Sequence, residues 1–347
     1  MIDQHFEAFD QVCFYKPIAA DAESADITHS PQDFYMTPNE KSDTEPFILP
    51  HQYEAYKRLS AIARACIYSN FSNLPIRIRP AVFVTGPSGS GKTYIVRALA
   101  ESMNLAYFSI SISEWILIGS SNRGAVSTWP AICQFLSRSA RSEGCIIFTD
   151  ELDKIRAGGE YSRFLLTEIY TLLDFRIPRN LRDEEGDLIR ETTIRDAETM
   201  LRERTLIVGA GAFQEVWNET KPLIGFGASA VQLPEPPDLN ALAQYVPREL
   251  IARFGSRLIV LQPLTETGYH DILATILPRL PDQWRSKFEQ LALCRIPEAS
   301  RQQQGTRFFE ELLLDVVVNE RMEISAPLVT AGVKPSDQES LSDLEIF

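Results

Sequence analysis

Residues 86–93 read GPSGSGKT, directly after the apolar run PAVFVT. This pairing constrains the fold more than any other feature of the chain. A run of Val, Phe and Thr closing on Gly suits a strand buried on both faces of a parallel sheet. The next segment, TYIVRALAESM, has apolar residues at helical spacing. A strand, a glycine-rich turn and a helix in that order turn backbone N–H groups inward at a helix N-terminus. Such a nest cradles phosphate oxygens. The spacing G-x-x-x-x-G-K-T fits a nucleoside triphosphate. Gly86, Pro87, Ser88, Gly89, Ser90 and Gly91 form the candidate cradle. Lys92 would reach the β- and γ-phosphates of ATP, and the Thr93 hydroxyl would hold Mg²⁺.

A second motif completes the chemistry. CIIFTDE is an apolar strand that ends on two acids, Asp150 and Glu151. Acids often end strands, so the pattern alone says little. Its position, with Asp150 58 residues after Lys92 and a helix and strand between, makes it specific. Asp150 is expected in the Mg²⁺ shell. Glu151 is expected to orient or deprotonate the attacking water. Hydrolysis, rather than binding alone, is the expectation.

The remaining pattern alternates. A helix is expected over Pro50–Ser69, strands at LAYFSISIS and TLIVGAGAF, and helices at WPAICQFLSRSARS and SRFLLTEIYTLLDF. Alternating strands and helices mean an α/β fold with a parallel sheet. After Pro263 three segments have helical periodicity and no strand follows. The expected organisation is an acidic arm over 1–46, an α/β ATPase domain over 47–262, a small helical lid over 263–325 and an acidic tail over 326–347.

Composition narrows the function classes. The net charge of −13 sits at the ends: residues 1–46 carry −8 and residues 335–347 carry −4, leaving about −1 for the middle. A near-neutral middle does not advertise the basic patch of a nucleic-acid binder, though a patch formed on folding stays open. No apolar run is long enough to span a membrane. The acidic start lacks the basic region and long apolar core of a secretory signal. Five scattered cysteines without a C-x-x-C argue against a zinc site or a disulfide framework and for a reducing, cytoplasmic setting.

The two motifs together resemble those of the AAA+ ATPases, and the likeness runs over about residues 47–325. ERTLIVGAGAF resembles the sensor-1 strand, although its tip, Gly209 to Phe213, holds no Asn or Thr for water. PRELIARF resembles the arginine-finger segment. The resemblance implies that Arg253 reaches the γ-phosphate in a neighbouring subunit, with Arg257 close enough in sequence to compete. GTRFFEELLLDVV resembles the start of the sensor-2 helix, which puts Arg307 on the nucleotide. ILPHQYEAYKRL resembles the N-terminal box on adenine, with Ile48 and Leu49 as base contacts and His51 where Gly is usual.

Within that group the order GAGAF, LIGFGASAV, ELIARF is similar to the ClpX-type unfoldases, here without their four-cysteine zinc domain. The likeness implies a homo-oligomeric ring, a hexamer, acting on a protein substrate. It also implies a peptidase or effector partner docking on Ile224, Gly225 and Phe226. An alternative is that Phe226 folds onto the chain's own core. The stretch SEWILIGSSNRG stands where a pore loop is expected, with Trp115 or Ile118–Gly119 as stand-ins for the pore aromatic. Residues 176–204 hold seven Arg and eight acids and read as a solvated loop or surface helix; the resemblance adds a substrate-contacting role. Two functions remain open: a remodeller of protein substrates, or an ATPase switch that regulates a separate effector or acts on DNA.

Overall fold

The computed structural model describes residues 35–36, 46–69, 79–115, 128–155, 160–183, 186–218, 236–255 and 257–325. Five parallel strands form the sheet: β2 (Ala81–Thr85), β3 (Ala106–Ser111), β4 (Cys145–Asp150), β5 (Thr205–Gly211) and β6 (Leu258–Val260). A two-residue strand, β1 (Tyr35–Met36), pairs antiparallel with the β3 edge, giving the order β1-β3-β4-β5-β2-β6. The connection from β2 runs to β3 on one side, and the connection from its neighbour β5 runs the other way, across β2 to β6. A ligand crevice is expected at such a switch point, outside the carboxyl ends of the strands. Those ends carry the phosphate loop after β2, Asp150 on β4 and Gly211 on β5.

The alternation within each strand explains the two covered faces. Val82 and Val84 point into one apolar layer, with Leu59 and Ala63 of α1 (Tyr53–Tyr68) and Ile95 and Leu99 of α2 (Lys92–Ser102). Phe83 points to the other face. The apolar layer on that face also takes in residues of helices α3 (Thr128–Arg138), α4 (Glu160–Leu173), α5 (Glu191–Glu203) and, beyond the short helices α6 (Gln214–Asn218) and α7 (Leu239–Leu242), α8 (Arg248–Phe254). Phe254 packs edge-on against Phe83, with ring centroids 5.1 Å apart.

Three helices form a separate apolar cluster: α9 (Glu266–Ile276), α10 (Asp282–Gln302) and α11 (Arg307–Ser325). Tyr269, Ile272, Phe288, Ile296, Phe308 and Leu312 meet at its centre. The Thr265 hydroxyl caps α9 by accepting from Gly268 N at 3.0 Å, which satisfies one free donor of the first turn.

The structure bears on three expectations. Strands β1 and β6, of two and three residues, are too short for a hydropathy pattern, and the sequence reading passes over both. Of the two readings of the charged segment 176–204, the surface helix is the one seen over Glu191–Glu203, with an i,i+4 pair between Glu198 and Arg202. Its helix α5 buries Ala197, Met200 and Leu201 in the core and turns its charges outward, and α5 packs on α3. Trp115 is not a pore aromatic. It is 1% exposed, and its indole N–H donates to Glu168 Oε2 on α4 at 2.6 Å. Burying the ring outweighs any benefit of displaying it, because a large aromatic gains several kcal/mol, roughly, on leaving water. Ile118 and Gly119 lie outside the described residues, as do Ile224, Gly225 and Phe226.

Candidate active site

The phosphate loop connects β2 to the first turn of α2. Gly91 shows why the loop needs glycine. Its φ is +85°, and a Cβ there would overlap the Gln52 side-chain amide. Gln52 is 1% exposed; its Nε2 donates to Ser90 O at 3.1 Å and its Oε1 accepts from Leu49 N at 3.3 Å. His51 Nε2 lies 3.2 Å from the same Ser90 carbonyl. Burial pushes the His51 pKa down, against the opposing effect of that carbonyl, so the ring favours its neutral form. The segment before α1 thus clamps the loop from outside. Sequence reasoning missed Gln52, whose only signal is its place beside the aligned His51.

Lys92 is 9% exposed, and its ammonium donates to Gly86 O at 2.8 Å and Pro87 O at 3.0 Å. Burial lowers its pKa, nearby Asp150 and Asp153 raise it, and Arg307 lowers it. The acids and Arg307 are therefore close enough to act on the same charge. Thr93 Oγ1 donates to Asp150 Oδ2 at 2.7 Å, so the α2 hydroxyl and the β4 carboxylate meet across the end of the sheet. Asp150 Oδ1 accepts from Glu151 N at 2.8 Å. A hydroxyl and a carboxylate oxygen are the hard donors that suit Mg²⁺.

Glu151 has a φ of +62°, a left-handed conformation uncommon for a residue with a side chain. Both its oxygens are engaged: Oε2 accepts from Ser113 Oγ at 3.0 Å and Oε1 from Lys154 Nζ at 2.6 Å. Asp153 Oδ1 accepts from Ala212 N at 3.0 Å, which ties the turn after β4 to the tip of β5. The Ala212 N–H at that tip is committed to Asp153, and the hydroxyl beside Glu151 is that of Ser113, which the sequence reading misses.

A cavity of about 710 Å³ joins these groups to the three-helix cluster of α9, α10 and α11. Its polar side carries Ser88, Gly89, Gly91, Lys92, Thr93, Asp150 and Glu151; its apolar side carries Leu49, Ile276, Leu280, Phe288, Phe309 and Leu313. That division matches a triphosphate at one end and a base at the other. Arg307 lines it from the start of α11. Ile48 is not among its lining residues; Phe47 is, with the Arg279 guanidinium 3.9 Å over its ring. The alternation of an extended segment turns neighbours to opposite sides, so Phe47 and Leu49 face inward together.

Arg253 is not among the cavity-lining residues. Its guanidinium lies over the Tyr170 ring at 4.1 Å, with Nε 3.4 Å from Asp174 Oδ1. Asp174 also accepts from Arg79 at 3.1 Å. Arg257 does not share this place. It donates to Ala81 O at 3.0 Å and Arg79 O at 2.8 Å, fastening the entry to β2, the end of the strand opposite the phosphate loop.

A parallel sheet with a phosphate loop, a threonine–aspartate pair and a neighbouring glutamate defines a P-loop nucleoside triphosphatase. Residues 82–211 match the family described as "ATPase family associated with various cellular activities (AAA)". Over that segment the chain carries an AAA ATPase domain, and the chemistry of such a domain is hydrolysis of ATP with Mg²⁺. The peroxisomal ATPase PEX1 of Dictyostelium discoideum is 32% identical over 87 residues, 24% of this chain and 6% of that protein. The ATP-dependent zinc metalloprotease FtsH 1 of Thermomicrobium roseum is 32% identical over 107 residues, 29% of this chain and 15% of that protein. The crystal structure of the FIGL-1 AAA domain covers 75% of this chain at 18% identity with a TM-score of 0.40. This chain spans only a small fraction of the curated relatives' length. These relatives are similar in the ATPase segment, and the narrower ClpX-type likeness rests on the sequence motifs alone.

Proposed function

We propose that this chain is an ATP-driven remodeller of protein substrates that works as a homo-oligomeric ring. One observation carries the catalytic part: Thr93 Oγ1 and Asp150 Oδ2 meet at 2.7 Å beside Glu151, in the same cavity that Arg307 lines. Lys92 and the loop N–H groups bind the β- and γ-phosphates. Thr93 and Asp150 hold Mg²⁺, which neutralises charge on the transferred phosphoryl group when bound. Glu151, oriented by Ser113, accepts the proton of the attacking water. Arg307 brings the lid onto the nucleotide.

Arg253 acts in a neighbouring copy. It lies outside its own chain's cavity lining and is partly exposed, at 27% of its side chain. A finger that completes a neighbour's site couples hydrolysis to assembly. One relative's name supports a protein substrate, since FtsH 1 is an ATP-dependent zinc metalloprotease. A peptidase or effector partner at Ile224, Gly225 and Phe226 follows from the motif order alone.

The buried Trp115 favours a second reading, because it removes one pore stand-in. Under it, the ATPase is a switch for a separate effector. Stimulation of ATP turnover separates the two. A rate that rises with an unfolded protein and not with DNA supports the remodeller; a rate that rises with DNA alone overturns it.

A further inference from the structure

The carbonyls of the phosphate loop are held from three directions. Gly86 O and Pro87 O accept from Lys92, and Ser90 O faces His51 and Gln52. Gly89 O is held by the lid: Thr306 N and Thr306 Oγ1 each donate to it at 2.9 Å. The approach is backbone on backbone. Gly305 has a φ of +69°, and a Cβ there would lie 2.6 Å from Gly89 O. Behind the contact, Gly305 N donates to the Tyr269 hydroxyl at 2.8 Å, and that hydroxyl donates to Ala299 O at 3.2 Å. Tyr269 is fully buried and packs on Phe308 and Phe309. A hydrogen-bonded line therefore runs from the end of α10, through Tyr269, to the phosphate loop.

We propose that Thr306 is a positioning residue, a latch through which the lid sets the phosphate cradle. The peptide joining Gly89 to Ser90 is planar, so its two ends turn together. Thr306 holds its carbonyl, and its N–H donates to Pro87 O at 3.2 Å. While the lid is latched, this plane cannot rotate and the cradle is formed before phosphate arrives. When the lid swings away, Gly89 O loses both donors and the loop loses its fixed shape. The next residue, Arg307, lines the same cavity, so a bound triphosphate grips lid and loop together. Nucleotide affinity and lid position then bias each other by the same factor. The inference rests on this cavity being the ATP site.

The test uses the full chain and three variants. Thr306→Val keeps the shape and the backbone donor but removes the hydroxyl. KM for ATP, and Kd for a fluorescent ATP analogue, should rise about twofold to tenfold, the worth of one such hydrogen bond. The turnover number should stay within about twofold, since the hydroxyl is committed to Gly89 O rather than to Asp150 or Glu151. Amide exchange at Thr306 and Ser90 should quicken together. Thr306→Ser, which restores a donor, should restore KM and exchange protection. Gly305→Ala should raise KM further, because a Cβ forces the lid off Gly89. Unchanged KM and exchange in Thr306→Val would overturn the latch, as would Thr306→Ser behaving like Thr306→Val, or an unaffected Gly305→Ala. Lys92→Ala removes nucleotide binding whether or not the latch exists. A wild-type chain that binds no ATP refutes the site itself rather than the latch.

Discussion

Replacing Glu151 with Gln separates catalysis from folding at a single position. The amide keeps the shape of the side chain and an oxygen that accepts from Ser113 Oγ, now 3.0 Å from Oε2. It loses the charge facing Lys154. That ion pair is exposed, at 54% of the Lys154 side chain and 35% of Glu151, so its loss costs no more than about 1 kcal/mol. For a domain of this size that is a fall in thermal midpoint of roughly 2–4 °C. Backbone strain at Glu151, with φ at +62°, is the same in both forms. The catalytic loss is far larger. An amide cannot take a proton from water, and a positioned general base contributes about 10²–10⁴ in rate. The Thr93–Asp150 pair and Lys92 are untouched, so ATP affinity should be kept. The assay is phosphate release at saturating ATP and Mg²⁺, alongside a melt and titration with a fluorescent nucleotide. The expected result is a turnover number lowered at least about 10²-fold, with near-wild-type melting and binding. Turnover within about threefold of wild type would refute Glu151 as the base, and loss of binding would show it to be a ligand instead.

Arg253→Ala should leave ATP binding intact and lower turnover by about 10³ or more, the worth of a finger in trans. Mixing it with Glu151→Gln should restore some activity, and a fully active dilute monomer would refute the shared site. Arg257→Ala should do the reverse: its two bonds to Arg79 O and Ala81 O are worth about 1–3 kcal/mol together, so the melt falls while turnover per folded molecule holds. A pH series tests the burial of Glu168. Burial raises its pKa, and the Trp115 N–H lowers it only in part. A carboxyl raised on folding stabilises below its unfolded pKa and loses that contribution as pH climbs through the folded one. Glu168→Gln should therefore melt higher than wild type near neutral pH and converge with it in acid; parallel curves at every pH would refute this.

The sequence by itself determined the four longer strands of the sheet, the phosphate loop and the acid pair. Each is a local pattern with a local cause. Valine and phenylalanine in PAVFVT make a buried strand wherever they stand, and three glycines in eight residues can only be a turn. The fixed order of strand, loop and helix places Lys92 and Thr93 on the same helix N-terminus without any tertiary information. Asp150 and Glu151 follow because a strand ending in acids must expose them at the carboxyl edge of the sheet, where β2 also delivers its loop.

Only the tertiary structure decided who meets whom. Arg253 and Arg257 are four residues apart and alike in composition. One lies on Tyr170 and Asp174, and the other fastens backbone carbonyls at the start of β2. Trp115 is as compatible with a displayed loop as with a core, until Glu168 offers its indole a partner. Phe47 replaces Ile48 in the cavity because a one-residue shift reverses which side an extended segment presents. Thr306 meets Gly89 across 217 positions of sequence, a contact no periodicity encodes. Hydropathy fixes what a segment becomes. The packing of segments, where burial, backbone approach and unsatisfied donors compete over the whole chain, fixes what it touches.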